Sequence, residues 1–259
     1  MPDISQIIAL KEKYGSKNQV NPLQLRVLLE GATRSFSEIK NSFANRGLDN
    51  RILQYLENQT STELIFLFID ITGFSKKCKD LTNSQLASYL DNYYDKVIPM
   101  IYAHGGEIEK IMGDGIIAIF GEPFLNDTKE TLFKKADDCA KDIILLLKYT
   151  DKEVKIALHD GTIMYYKNKA VNHAEYTVIG KPLTELYRLE SVALNNSISY
   201  YHVSSYDNKV YSQSGSYCFS PKGPKIRCGS FSKSAIQPVT LQGVDWSFVK
   251  HLTCTYATE

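Results

Sequence analysis

Asp70 and Asp114 are the two residues of this sequence best placed to do chemistry. Each stands where an apolar run meets a glycine-containing turn. Leu64-Ile65-Phe66-Leu67-Phe68-Ile69 runs into Asp70-Ile71-Thr72-Gly73-Phe74-Ser75, and Gly113-Asp114-Gly115 separates Glu107–Met112 from Ile116–Phe120. If the flanking segments are neighbouring strands, both carboxylates converge on one edge of a sheet. Carboxylates held together stay ionised beside a divalent cation. Two such cations about 3.5–4 Å apart clamp the attacking and leaving oxygens of a phosphoryl transfer. Asp is equally common as a helix cap and as a turn residue, so the pair taken alone is open to that reading as well. The stretch Ile71–Ser75 leads from strand end into helix, where backbone N–H groups can cradle a triphosphate. An ordinary strand-to-helix turn has the same texture, and no GxxxxGK(S/T) loop occurs anywhere.

Periodicity supplies the elements that must hold these groups. The unbroken apolar run Leu64–Ile69 predicts a central strand buried on both faces. Asn83 or Ser84 can cap a long helix with the stripe Leu86, Leu90, Tyr93, Val97, Ile101, ended by His104-Gly105-Gly106. The glycine-flanked Asp114 predicts a tight hairpin. Leu132, Ala136, Cys139, Ile143 and Leu146 predict a further helix within 127–149, and Val154–Tyr166 with Lys169–Ile179 a strand pair turning near Asn168. Pro182 and Thr184 open a helix through Leu186, Leu189 and Val192, and strand texture returns at Ala235–Leu241. That order predicts an α+β sandwich with a mixed or antiparallel sheet and its helices on one side. Residues 1–60 read as an N-terminal helical segment, with Asn21-Pro22 as a start and Leu23, Leu25, Val27, Leu28, Ile52, Leu53 and Leu56 at helical spacing. Residues 61–259 read as one catalytic domain.

Composition excludes several classes. Thirty Lys and Arg against twenty-nine Asp and Glu give a net charge of +1. Broad nucleic-acid binding needs a basic surplus, which is missing. The five cysteines (Cys78, Cys139, Cys218, Cys228, Cys254) show no zinc spacing and read as reduced thiols of a cytoplasmic protein. Leu64–Ile69 is too short to cross a bilayer, and the N-terminus lacks the apolar core of a secretory signal. His104, His159, His173, His202 and His251 are scattered and read as structural or solvated.

The segments Phe68-Ile69-Asp70-Ile71-Thr72-Gly73-Phe74-Ser75 and Glu107-Ile108-Glu109-Lys110-Ile111-Met112-Gly113-Asp114-Gly115-Ile116-Ile117-Ala118-Ile119-Phe120-Gly121 resemble the core of the class III adenylate/guanylate cyclases. The separation of 44 positions between the two Asp matches that family's metal pair, and Tyr176-Thr177-Val178-Ile179-Gly180 with Arg188-Leu189-Glu190 matches its next motif. The resemblance covers about residues 63–195, and weakly the tail through Leu241-Gln242-Gly243. It implies a βαββαβ ferredoxin-like core and a lyase that turns a nucleoside triphosphate into a 3′,5′-cyclic monophosphate. It implies two Mg²⁺ or Mn²⁺ per site on Asp70, Asp114 and the Ile71 carbonyl, and triphosphate on Ile71, Thr72, Gly73, Phe74 and Ser75. Lys110 and Thr177 would read the base, and Arg188 would stabilise the transition state. It also implies a head-to-tail homodimer with its active sites at the interface.

Two positions depart from the pattern. Thr184 stands where the motif has an asparagine that orients the ribose, and Lys181 where it has an aspartate. Lys110 and Thr177 at face value favour ATP. The layout of a small catalytic domain behind a short helical lead, with Thr184, is similar to the bacterial pyrimidine cyclases of anti-phage signalling. Those make cCMP or cUMP as a second messenger for a separate effector protein, so CTP or UTP is the favoured substrate here. An adenylate cyclase and a catalytically inactive nucleotide-binding or dimerisation module are the alternatives. Arg188 could instead pair with Glu185 or Glu190 on its own helix. Lys222, Lys225, Arg227 and Lys233 form a basic segment that reads as a solvated hairpin.

Overall fold

The apolar run at residues 64–69 becomes the middle of strand β1 (Ser61–Ile71), buried without interruption from Leu64 to Ile69. The computed structural model describes residues 50–58, 61–167, 176–220 and 226–258, together with Leu10, Lys13 and Tyr14. In it β1 is flanked on one side by β3 (Gly115–Phe120) and on the other by β4 (Val154–Lys167), antiparallel to both. A strand so placed has no solvent face, which is why its apolar residues run on instead of alternating.

Around it the chain runs α1 (Asn50–Glu57), β1, α2 (Phe74–Lys77), α3 (Asn83–Ala103), β2 (Glu107–Met112), β3, α4 (Lys129–Leu147) and β4. It continues through β5 (Tyr176–Ile179), α5 (Lys181–Glu190), β6 (Ser197–Tyr201), β7 (Gly215–Phe219), β8 (Arg227–Lys233), β9 (Gln237–Pro238) and β10 (Phe248–Ala257). The sheet order is β2-β3-β1-β4-β6-β10-β8-β7, with β5 on β4 and β9 on β10. Among the described strands β4 and β6 are the parallel pair, so the sheet is mixed, as expected. The βαββαβ core is present as β1-α3-β2-β3-α4-β4.

Ile65, Leu67, Ile69 and Ile71 of β1 pack under α3 (Tyr93, Val97, Ile101) and α4 (Phe133, Ala136, Ile143). Leu64, Phe66 and Phe68 pack against α5 (Leu186, Leu189) and α1 (Leu56). Helices therefore cover both faces, correcting the one-sided arrangement read from sequence. The reason is in β1 itself, since a strand apolar on both sides needs a cover on each. α5 lies so close to β4 that a Cβ on Gly161 would come within 2.4 Å of Pro182 Cγ.

Three local expectations need correction. The cap of α3 is Thr82, whose hydroxyl accepts the Gln85 N–H at 3.3 Å while Gln85 Oε1 takes the Thr82 N–H at 2.9 Å. That reciprocal capping box outcompetes Asn83 and Ser84, which fall inside the helix. The strand at Ala235–Leu241 shrinks to the two residues of β9, and the long closing strand is β10. Cys78, Cys139 and Cys254 are free thiols, but Cys218 and Cys228 form a disulfide. The β7–β8 register sets those two directly opposite, a pairing that depends on strand registration and not on a spacing motif. The expectations for Asn21-Pro22, Leu23–Leu28, Asn168, His173, Lys222 and Lys225 lie outside the described residues.

The C-terminal strands are tied together through one carboxylate. Asp207, 4% exposed, meets Lys250 Nζ at 3.0 Å, Lys233 Nζ at 2.9 Å and His202 Nδ1 at 2.7 Å. Burial pushes its pKa up, but Lys233, the Val203 N–H, His202 and Lys250 outweigh burial and hold it well below the usual carboxylate range. Asp207→Ala strands two ammonium groups and is expected to cost about 3–5 kcal/mol in urea unfolding at pH 7. A depressed carboxylate stabilises above its unfolded pKa, so the gap between parent and variant should close as the pH falls below about 4.

Candidate active site

Asp70 is the last residue but one of β1, and the neighbouring β2–β3 turn carries Asp114. The β1–β3 register, with Ile69 opposite Ile116, brings the two carboxylates to the same sheet edge. The turn is tight enough to need Gly113 at φ +60°, a conformation disfavoured for other residues. Tyr94 of α3 donates its hydroxyl to the Gly113 carbonyl and fixes the turn against the helix.

The two carboxyls lie within hydrogen-bonding reach. Burial, then repulsion from Asp114 and Glu190, pushes Asp70 up to about 7, against the pull of Lys155. Asp114 is also raised by burial, and its own N–H, the Asp70 carboxyl and the Ile71 N–H hold that rise back. Near neutral pH the pair therefore shares a proton. Lys155, opposite Asp70 on β4, sits 3.5 Å from Asp70 Oδ2 and 2.5 Å from Glu190 Oε1. One ammonium cannot neutralise three carboxylates. Among the described residues no third His, Cys, Asp or Glu joins the pair to form a metal cluster. Two hard carboxylates in mutual repulsion, with the Ile71 peptide against them, fit a hard divalent cation that takes its other ligands from phosphate and water.

The turn after β1 is only partly open. Thr72 gives its N–H to the Glu153 carbonyl at 2.9 Å and its hydroxyl to Asn195 Oδ1 at 2.8 Å, and Asn195 is held by Glu153 Oε2 at 2.7 Å. The N–H groups of Gly73, Phe74 and Ser75 have no acceptor among the described residues. Those three are the donors left to meet an anion.

On α5, Leu186 and Leu189 face inward, while Lys181, Thr184 and Arg188 share one exposed stripe. Tyr187 seats the helix on the sheet, its ring 5.5 Å from that of Phe68 and its hydroxyl 3.5 Å from Met112 Sδ. Glu185 is taken by His159 at 2.9 Å and Trp246 Nε1 at 3.1 Å, and Glu190 by Lys155. The intrahelical pairing weighed for Arg188 does not form, and Arg188 meets no carboxylate among the described residues. Lys181 bonds Asp245 at 2.5 Å. Lys233 is spent on Asp207, and Arg227 Nη1 bonds the Leu145 carbonyl at 3.1 Å. Lys110 on β2 and Thr177 on β5 are half-buried and come from strands that meet where the Val178 N–H donates to Glu109.

Solved structures share this architecture. The adenylyl cyclase CyaB from P. aeruginosa is 19% identical with a TM-score of 0.60, the match covering 76% of this chain and 96% of that one. For the guanylyl cyclase Cya2 the values are 20% identity and 0.57, over 78% and 95%. The guanylate cyclase domain of RhGC from Catenaria anguillulae, in complex with GTP, is 14% identical with a TM-score of 0.58, over 75% and 98%. The protein has the class III nucleotidyl cyclase fold. No family model matches the sequence. Uncharacterized proteins of Mycobacterium tuberculosis and Mycobacterium bovis are 28% identical over 127 residues, 49% of this chain, and the chain spans 24% of their length.

Within the cyclase fold the sequence reading missed the groups that act through registration. Lys155, Asn195 and Tyr94 carry no motif. Each reaches the site only because a neighbouring strand or helix lies where it does, so no local signal marks them.

Proposed function

We propose that the protein is a nucleotidyl cyclase, which turns a nucleoside triphosphate into its 3′,5′-cyclic monophosphate and pyrophosphate. The observation that supports this best is the Asp70–Asp114 pair, held at one edge of a cyclase-type sheet in need of positive charge. Asp70, Asp114 and the Ile71 carbonyl would hold two Mg²⁺ or Mn²⁺, which when bound acidify the ribose 3′-hydroxyl and neutralise the triphosphate. The N–H groups of Gly73, Phe74 and Ser75 take phosphate oxygens. The O3′–Pα bond forms as the bond from Pα to the pyrophosphate oxygen breaks, and the 3′ proton passes to water. Arg188 meets the charge that grows on the α-phosphoryl oxygens, where a fixed guanidinium contributes most. Thr184, one turn earlier, faces the ribose with a hydroxyl, and Lys110 with Thr177 faces the base.

An exposed Arg188 with no acidic partner among the described residues suits a site completed by a second copy, so the working unit is a head-to-tail homodimer. Within this reading the base is a pyrimidine. A short hydroxyl at Thr184 in place of an amide alters how the ribose sits, and Lys110 donates to a pyrimidine carbonyl as well as to a purine nitrogen. The product, cCMP or cUMP, would serve as a cytoplasmic second messenger for a separate effector in anti-phage defence. Lys110 and Thr177 favour the second reading, an adenylate cyclase.

Incubation of the purified protein with ATP, GTP, CTP and UTP separately, in Mn²⁺, tests both through the mass of the product. Cyclic CMP or cyclic UMP is the expected outcome. Cyclic AMP alone would move the assignment to the second reading, and no cyclic product from any of the four would overturn the enzyme itself.

A further inference from the structure

Glu109 is 2% exposed and is the extra residue of a bulge, where β2 slips against β3 between the pairs Ile108–Ala118 and Lys110–Ile117. A buried carboxylate on an edge strand needs a reason to be there. Its neighbours supply one. Among the described strands β5 pairs with β4 alone, so its other edge carries backbone N–H groups without a partner among them. One of them, on Val178, donates to Glu109. Tyr165 of β4 and Tyr187 of α5 stand close to the same carboxyl. Its Oε2 has no partner among the described residues. Burial pushes the group up to about 8, and the carboxyl accepts from the Val178 N–H.

We propose that Glu109 is a positioning residue that braces the β2 bulge against β5 and so sets the spacing between Lys110 and Thr177, the two side chains that face the base. The inference rests on the cyclase reading and deepens it by locating base discrimination in a residue that does not touch the substrate. Lys110 follows Glu109 directly, and Thr177 directly precedes Val178. A single contact between 109 and 178 therefore fixes both neighbours. The bulge is what allows it, because two successive β2 residues can then address the same side of the sheet. Without the brace β5 would hang on β4 alone, and the base-facing pair would lose its fixed separation.

The test uses the full chain and compares the parent with Glu109→Gln, Glu109→Leu and Glu109→Ala on all four nucleoside triphosphates in Mn²⁺, with melting temperatures alongside. The amide of Glu109→Gln still accepts from Val178, so it should keep the parent's order of substrates. Glu109→Leu fills the volume but breaks the contact. It should narrow the ratio of kcat/KM between the best substrate and the next by about tenfold, through KM and not kcat. Glu109→Ala should do the same.

A uniform fall in kcat on all four substrates, with the ratio intact, would make Glu109 structural only and overturn the proposal. So would failure of both Leu and Ala variants to fold while the Gln variant behaves normally, or an unchanged ratio in folded variants. A parent that cyclises none of the four would overturn the cyclase reading and this inference with it. A parent that cyclises at least one, with an unmoved ratio in the variants, overturns the positioning role alone.

Discussion

Asp70→Asn is expected to lower cyclisation by about 10³-fold or more, and at the same time to stabilise the metal-free protein at pH 8. The first effect follows from removing half of a two-carboxylate cation site. The second follows from the charge the native state has to tolerate. Asp70 titrates near 7 in the folded chain against an ordinary value of 3.8. Between those values the native state binds more protons than the unfolded one, so stability falls as the pH rises from about 4 to about 7, and stays low above. The asparagine has no charge to bury and should escape that decline. The melting temperatures of parent and variant should converge at pH 4 and separate in the variant's favour by pH 8. Water reaches the carboxyl and screens part of the repulsion, so the separation should be a few degrees. Mn²⁺ should raise the parent's melting temperature by binding the native state and leave the variant's unmoved. Thermal scans from pH 4 to 8, with and without Mn²⁺, read all of this without relying on turnover. A parent indifferent to Mn²⁺ would separate the pair from any cation.

That pair was legible in the sequence because its placement is local. An unbroken apolar run ending at Asp70 and a glycine-flanked Asp114 fix where each carboxylate stands, and antiparallel neighbours do the rest. The core order β1-α3-β2-β3-α4-β4 was legible for the same reason, each element carrying its own period in Leu64–Ile69, in Tyr93, Val97 and Ile101, or in Ala136, Cys139 and Ile143. The apolar run also implied covers on both faces, yet a one-sided sheet was the expectation. Placing α5 on the second face requires knowing that β5 turns back over β4, which no window of sequence states.

Contacts made by register were out of reach altogether. Lys155 stands beside Asp70 because β4 pairs with β1 at that offset. Cys218 meets Cys228 because β7 and β8 pair at theirs. Glu109 looked like one more residue of a strand until the bulge turned it toward Val178. The site is therefore written at two levels. The paired carboxylates follow from residue type at element ends, and the groups beside them follow from how the strands align.

Arg188→Ala is expected to lower kcat by about 10²–10³-fold, with KM changed by no more than about threefold. The side chain is exposed and meets no carboxylate among the described residues, so its removal should leave the melting temperature within about a degree of the parent. Arg188→Lys should recover little, because an ammonium cannot present two parallel donors to a phosphoryl group. The decisive measurement mixes two inactive proteins. If Asp70 of one copy and Arg188 of the other build each site, Asp70→Asn and Arg188→Ala chains that exchange freely will form mixed dimers, and each mixed dimer holds one intact site. About half the dimers are mixed, so about a quarter of the parent's activity should return. If both residues serve a site within one chain, every site in the mixture carries a lesion and nothing returns. Activity in the mixture would thus fix the geometry of the dimer. A silent mixture of two folded, exchanging proteins would place Arg188 in the same chain's site as Asp70, and the exposed stripe on α5 would need another partner.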